Sequence, residues 1–482
     1  MLRRAIHSGY SLPPQSGNRS NMDSKHVTHL RAQTPSSAID RAEARSPQAV
    51  APSLAALAAV TLLTGIGAGV AGTLLAALLH IVQHLAFGYA TDTVFGAQSF
   101  LSGVAEASPE RRFAVLTLCG VVAGLGWFAV YRFGAKLVSI KEAVSRGHAM
   151  PVGSTLSHAI LQIVTVALGS PLGREVAPRE LGSLIGDQLA RRAGLTPEQC
   201  RLMVACGAGA GLAAVYNVPL GGAIFVLEVL LGTFAWRAVL PAFATSAIAA
   251  AVAWIGMGAE QQYTIPVFDV SAPLIGWALV CGPLVGIAAW AYARLTEQAR
   301  ANAPRDWRLP VFALANFMIL GLVIAWYPQL PGNGKGPAGL AFNGELTIAL
   351  AFALLALRVF FTWSSLRAGA AGGLLTPGLA NGALLAVVLC GLWNGALPDV
   401  MTVPLGAAAL VGATAFLAVS MRMPITAVVL ALEFTHVNQD FLAPMLLAVA
   451  GAACTARWID QRVATTKSRG NGSNTVPSAS AG

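Results

Sequence analysis

From about Ala51 to Ala456 the chain alternates apolar stretches with brief polar breaks, and the stretches come in two lengths. Residues 51–78, 236–256, 271–293 and 308–327 are long enough to cross a hydrocarbon core of ~30 Å, which takes about 20 helical residues. Residues 113–131 form a further apolar return. The others are short or interrupted by Gly and Pro: 153–170, 178–190, 198–215, 219–233, 375–393, 403–420, 424–436 and 441–456. A short helix with breakers cannot face lipid with unsatisfied backbone, so it must pack inside protein or line a cavity. The pattern predicts an all-α polytopic membrane protein with broken and re-entrant helices, the architecture of a secondary transporter.

Composition sharpens this. Charged residues make up 11% of the 482 and hydrophobic residues 55%, with 50 glycines. Only 37 charges fall in the 408 residues between 49 and 456, far below the roughly 25% of a soluble domain. Residues 1–48 are polar and aperiodic and read as a disordered cytosolic extension, with Met22 a second candidate start. Residues 49–457 form the transmembrane domain, and 458–482 read as a disordered cytosolic tail. The net charge of +10 is dispersed over segment ends, which argues against a nucleic-acid partner.

The basic residues also orient the chain. None lies between Arg45 and Arg111 or between Trp254 and Ala291, whereas Arg132, Lys136, Lys141 and Arg146 follow one span and Arg294, Arg300, Arg305 and Arg308 crowd one loop. The positive-inside rule puts that loop and both termini in the cytosol, in a cell's inner membrane.

A repeat runs through the body. Pro219 precedes Glu228 by nine residues and Pro424 precedes Glu433 by nine; Gly173 precedes Pro178 by five and Gly372 precedes Pro377 by five. The order Gly–Pro–Pro–Glu therefore occurs twice, predicting two homologous halves, about 51–233 and 271–457, with the site where their broken helices meet. Ionisable residues within membrane segments are costly and point to function. Glu175, in SPLGREVAPRE, sits before an apolar helix whose N-terminus attracts anions. A carboxylate there can fill an anion site and leave it on protonation, acting as gate and proton acceptor; the competing reading pairs it with Arg174 or Arg179. The matched positions of Glu228 and Glu433 suggest buried structural acids that bond helix N-terminal amides.

These motifs resemble those of the CLC family of chloride channels and anion/proton exchangers. GREVAP (Gly173–Pro178) is similar to the family's GREGP element, with Glu175 in the gating position. GGLLTP (Gly372–Pro377) is similar to GxFxP, RMPITAVVLALEFT to the late helix pair, and GHAMP (Gly147–Pro151) to GSGIP. The resemblance covers about 51–457. It implies a CLC-type inverted repeat, a homodimer with one anion pathway per subunit, helix N-termini converging on the anion, no metal and no other cofactor. It also implies anion contacts from Gly147, His148, Met150, Gly173, Val176, Leu375, Thr376 and Asn438.

The departures are as informative. His148 takes the place of the Ser that contributes a hydroxyl in GSGIP, and Asn438 falls nearest the place of a late Tyr, because all seven tyrosines lie at or before Tyr327. Leu375 and Thr376 stand in the GxFxP element, and Val229 where exchangers carry an inward-facing proton glutamate. Met150, Thr376 and the altered GREGP element resemble the fluoride/proton antiporter branch. The expectation is therefore a fluoride exporter driven by proton exchange, with Thr376 and backbone amides as donors and Glu175 carrying the proton alone. The alternative is a chloride/proton exchanger or a passive chloride channel. His148 and His158 read as solvated loop residues at the cytosolic entrance, and the six cysteines as packing residues. No P-loop, HExxH or GxSxG element supports an enzyme.

Overall fold

A computed structural model of the chain describes residues 54–89 and 98–472, with side chains to Thr465. The described residues form seventeen α-helices and no strand. In order these are α1 (Leu54–Phe87), α2 (Phe100–Glu106), α3 (Pro109–Phe133), α4 (Ile140–Arg146), α5 (Val152–Ala167), α6 (Val176–Arg192), α7 (Pro197–Tyr216), α8 (Pro219–Phe225) and α9 (Trp236–Met257). After these come α10 (Ala272–Ala301), α11 (Arg308–Val323), α12 (Lys335–Phe342) and α13 (Ile348–Arg367), then α14 (Leu375–Ala396), α15 (Leu405–Ser420), α16 (Pro424–Thr435) and α17 (Leu442–Gly472). A π-helical turn, Val226–Leu231, prolongs α8. Seven segments are long and apolar enough to span a bilayer.

The apolar pattern locates α9 to within a residue, but it underestimates α1 and α10 and misses α13 altogether. The last helix runs on through Trp458 to Gly472, so the first fifteen residues assigned to a disordered tail are helical. The remainder of that tail, and the extension 1–48, lie outside the described residues.

Local chemistry sets the helix limits. Ser108 caps α3 ahead of Pro109, and Thr196 with Gln199 forms a capping box on α7 ahead of Pro197, satisfying amides that lack an intrahelical partner. Asn217 and Arg422 both adopt positive φ, each two residues before the proline that opens the next helix. A side chain in that region is strained, so each marks a sharp break that tertiary contacts hold.

Small residues then let the short helices approach closely. A Cβ on Gly182 of α6 or Gly207 of α7 would collide with the other's carbonyl. Likewise, a Cβ on Gly382 of α14 would crowd the backbone of α15. Close contact of this kind supplies association where apolar burial gives little drive against lipid. It holds α6 against α7 and α14 against α15, and the interrupted starts of α6 and α14 face one another.

The two acids of the repeat bind those ends reciprocally. Glu228, in the turn after α8, accepts from the Ile425 and Thr426 amides of α16 at 2.9 and 2.7 Å and from the Thr426 hydroxyl at 2.6 Å. Glu433, on α16, accepts from the Leu220 and Gly221 amides of α8 at 2.9 and 2.6 Å. Each carboxylate caps the helix opposite. Both are half-buried, not fully buried as the repeat suggested, because they bridge the ends of two short helices.

Candidate anion and proton site

Two interrupted segments meet at the centre. After α5 the chain turns at Gly169 (φ 104°) and runs through Gly173 into α6; after α13 it turns at Gly369 (φ 98°) and runs through Gly373 into α14. Gly173 and Gly373 pair in antiparallel fashion, each donating its N–H to the other's carbonyl at 2.8 Å. The backbone of Gly173 is therefore committed to this bridge and is not free for an anion.

Glu175 occupies the N-cap of α6 but makes no capping bond there. Its carboxylate crosses to α14, where Oε1 accepts from the Leu375 amide at 2.7 Å. Leu375 opens α14 and Pro377 holds its third position. Proline has no N–H, so Leu375 and Thr376 carry the unpaired amides of that first turn. Glu175 is fully buried, and a negative charge at this helix end is stabilised by oriented amides and the helix dipole. The carboxylate sits where a small anion would sit.

Tyr216, the last residue of α7, completes the pocket. Its hydroxyl lies 3.3 Å from Glu175 Oε2 and 2.8 Å from Thr376 Oγ1. Each hydroxyl has one proton, so Thr376 donates to Tyr216 when Tyr216 donates to Glu175. Arg174 stacks its guanidinium over the Tyr216 ring at 5.2 Å, and Arg179 lies over Phe225 at 4.3 Å. Among the described residues no ion pair joins Glu175 to either arginine, which removes the competing reading. The glycines matter sterically: a Cβ on Gly173 or Gly373 would overlap the Glu175 carboxylate.

A cavity of about 620 Å³ approaches this point from the side of the Arg294–Arg308 loop. Val176 and Gly372, neighbours of Glu175 and Gly373, form part of its wall. Lys141, Arg179, Arg300, Arg305 and Arg422 give it a cationic lining, which concentrates anions. Arg300 also donates to the Gly372 carbonyl at 2.7 Å.

A family model described as "Voltage gated chloride channel" matches residues 119–457. The chain belongs to that family, the CLC family. Among CLC relatives, a protein of Ralstonia nicotianae named as a ClcB-like chloride channel is 31% identical over 74% of this chain and 85% of its own. The H(+)/Cl(-) exchange transporter ClcA of Vibrio cholerae is 26% identical over 83% of this chain and 86% of its own. Two solved structures share the fold. A slow cyanobacterial Cl-/H+ antiporter has a TM-score of 0.72 at 19% identity, covering 84% of this chain and 95% of that one. A CLC-type fluoride/proton antiporter has a TM-score of 0.60 at 21% identity, covering 83% and 94%.

The expected fluoride branch gains nothing beyond a shared fold from this, and the relatives at higher identity are named for chloride. The all-helical CLC architecture agrees with the sequence reading, but the anion contacts do not all assemble. Glu175, Leu375 and Thr376 come together, and Val176 reaches the cavity wall. Gly147, His148 and Met150 lie elsewhere: the Gly147 carbonyl accepts from Arg191 at 2.9 Å, His148 bonds Glu142 at 3.1 Å, and the Met150 amide is held by buried Asp187 at 3.1 Å. None of the three lines the cavity beside Glu175. The start of α4 (Ser139, Ile140 and Lys141) lines the cavity instead. Asn438 is exposed, just ahead of Gln439–Phe441.

Tyr216 is the residue the sequence did not reveal. Its one local signal is its place at the end of α7, three residues before Pro219, which opens α8. The packing of α7 against α6 brings its hydroxyl to Glu175, and the start of α14 brings Thr376 to the same hydroxyl. His158, expected to be solvated, is a buried residue of α5. Five of the six cysteines are buried and all six are free, with Cys454 exposed.

Proposed function

We propose that this CLC protein exchanges chloride for protons across a cell's inner membrane, with Glu175 as gate and proton acceptor. The observation that carries the reading is the seat of the Glu175 carboxylate on the Leu375 amide, beneath the Tyr216 hydroxyl, in full burial. Ionised, Glu175 is itself the anion at the start of α14 and blocks the path. Protonated, it loses the charge that holds it to the amide and hydroxyl donors; it withdraws, and a chloride ion takes the vacated donors. One residue then binds anion and proton in alternation, which couples their movements. The names of the R. nicotianae and V. cholerae relatives support chloride over fluoride.

The cationic cavity serves as the cytosolic vestibule in this reading, and both termini lie on its side of the membrane. Two inverted halves supply the facing helix ends, the protein works as a homodimer, and it carries out no enzymatic reaction. The test is chloride and fluoride efflux from liposomes measured in parallel with proton movement. Wild-type protein is expected to move chloride faster than fluoride and to drive protons the opposite way. Glu175→Gln, fixed in the neutral state, is expected to pass chloride with no proton movement. Fluoride outpacing chloride, or proton coupling retained by Glu175→Gln, overturns the reading.

A further inference from the structure

The cavity wall contains a second protonatable unit that the exchange reading does not use. His158 and Gln162 lie one turn apart on α5, and both face Glu180 of α6. His158 Nδ1 is 2.9 Å from Glu180 Oε2, Gln162 Nε2 donates to the same oxygen at 3.0 Å, and Gln162 Nε2 is 2.9 Å from His158 Nδ1. His158 and Gln162 are buried, the Glu180 side chain is 15% exposed, and all three border the cavity. Gln162 Oε1 is buried without a partner. An orphaned acceptor in a cavity wall is a seat for water.

The chemistry of the contact is restrictive. A separation of 2.9 Å between an imidazole nitrogen and a carboxylate oxygen requires a proton between them. With that proton on Nδ1 and directed at Glu180, Nε2 is the basic nitrogen of the ring, the tautomer a carboxylate partner selects. The pair then exists in two forms: neutral imidazole with carboxylate, and imidazolium with carboxylate. They differ by one proton on Nε2, and no heavy-atom bond changes.

The surrounding charges single this pair out. Lys141 of α4, Arg179 of α6, Arg300 of α10, Arg305 beyond it and Arg422 are cations lining the same cavity. Tyr131 of α3 is the other titratable neighbour in the wall. The lining acids are thus Glu180 and Glu228, and Glu228 is occupied by three donors of α16. Val229, where the sequence lacks an acid, lines the same cavity. Glu175 and Glu180 belong to one helix, five residues or about 7.5 Å apart along its axis, with Val176 in the wall between them.

We propose that His158 and Glu180, braced by Gln162, form the proton-transfer station on the cavity side of Glu175, in place of an acid at Val229. A proton from cavity water adds to Nε2 of His158, passes by way of water to the Glu175 carboxylate, and leaves the imidazole neutral again. This rests on the exchange reading above, and it makes His158 and Glu180 specific to the proton branch of the cycle.

The experiment measures chloride and proton fluxes together in liposomes containing the full chain, with Glu180→Gln and His158→Gln as variants and monodisperse elution as the check of folding. The expected result is a proton-to-chloride ratio at least fivefold below wild type in both variants, with chloride efflux within threefold of wild type. In wild-type protein the proton flux should also vary with pH on the cavity side, and His158→Gln should flatten that profile, which loss of a mere packing contact would not do. If Glu180→Gln does not fold, His158→Gln decides alone. Variants that keep the wild-type ratio and pH profile overturn the station and leave exchange standing. Wild-type protein that moves chloride without protons overturns exchange and the station together.

Discussion

Gly373→Ala isolates the seat of the gate. The glycine does not use positive φ, so alanine is permitted by the backbone and its effect is steric. Its Cβ would overlap Glu175 Oε1 and lie 2.7 Å from Oε2, against about 3.5 Å or more at an ordinary van der Waals separation. The carboxylate must therefore retreat by roughly 1 Å or more. That takes the 2.7 Å bond from the Leu375 amide beyond about 3.5 Å, where a hydrogen bond no longer exists. A bond to a charged group contributes about 1.5–3 kcal/mol, so the seated state should lose roughly ten- to hundredfold in population. In liposomes, Gly373→Ala should release chloride faster than wild type, by up to that factor, with a lower proton-to-chloride ratio. Gly153→Ala is the control, since nothing lies near its Cβ. Unchanged efflux and ratio in a folded Gly373→Ala protein would refute the claim that Glu175 is held at α14.

Three further outcomes follow from contacts described above. Tyr216→Phe removes one neutral hydroxyl donor worth about 1 kcal/mol; chloride efflux should rise about fivefold with coupling retained, and a change below twofold on a chloride electrode contradicts the role given to the hydroxyl. Glu433→Ala strips two amides of their acceptor and Glu228→Ala strips three donors, so each should lower stability by about 2 kcal/mol or more, read as the unfolding temperature in detergent, with Glu228→Ala the lower of the two. Asp187 also accepts from Arg191 Nε at 2.7 Å, so Asp187→Ala leaves the Met150 amide and Arg191 without their buried acceptor and should cost about 1–3 kcal/mol. Its transport per folded molecule should match wild type; a changed anion preference would return the Gly147–Met150 loop to the pathway.

The sequence made some of this legible and concealed the rest for identifiable reasons. Gly173, Glu175, Glu228 and Glu433 could be found because their signal is local: breakers, a buried charge, and a spacing that recurs. The helix α13 was hidden by Arg358, which interrupts an apolar run; in the fold that side chain is fully buried and donates to the Leu330 carbonyl at 3.0 Å. A motif match drew Gly147–Met150 into the site, whereas Asp187, 37 residues away from Met150, determines where that loop goes. Tyr216 and the His158–Glu180 pair depend on which helices pack together, and one-dimensional spacing carries no record of that.

The Gly173–Gly373 bridge also bears on how such a molecule alternates its access. Two rigid bodies rocking about a central ligand must part at the ligand, and here that place is tied by two mutual backbone bonds between residues with no side chain to yield. Opening it would leave four peptide groups unpaired in a buried site, at a cost of roughly 1–3 kcal/mol each. Swinging one carboxylate breaks only the bonds that carboxylate makes. Under the exchange proposed above, the scaffold would stay closed and the turnover step would be a rotation of the Glu175 side chain, with the helices at rest.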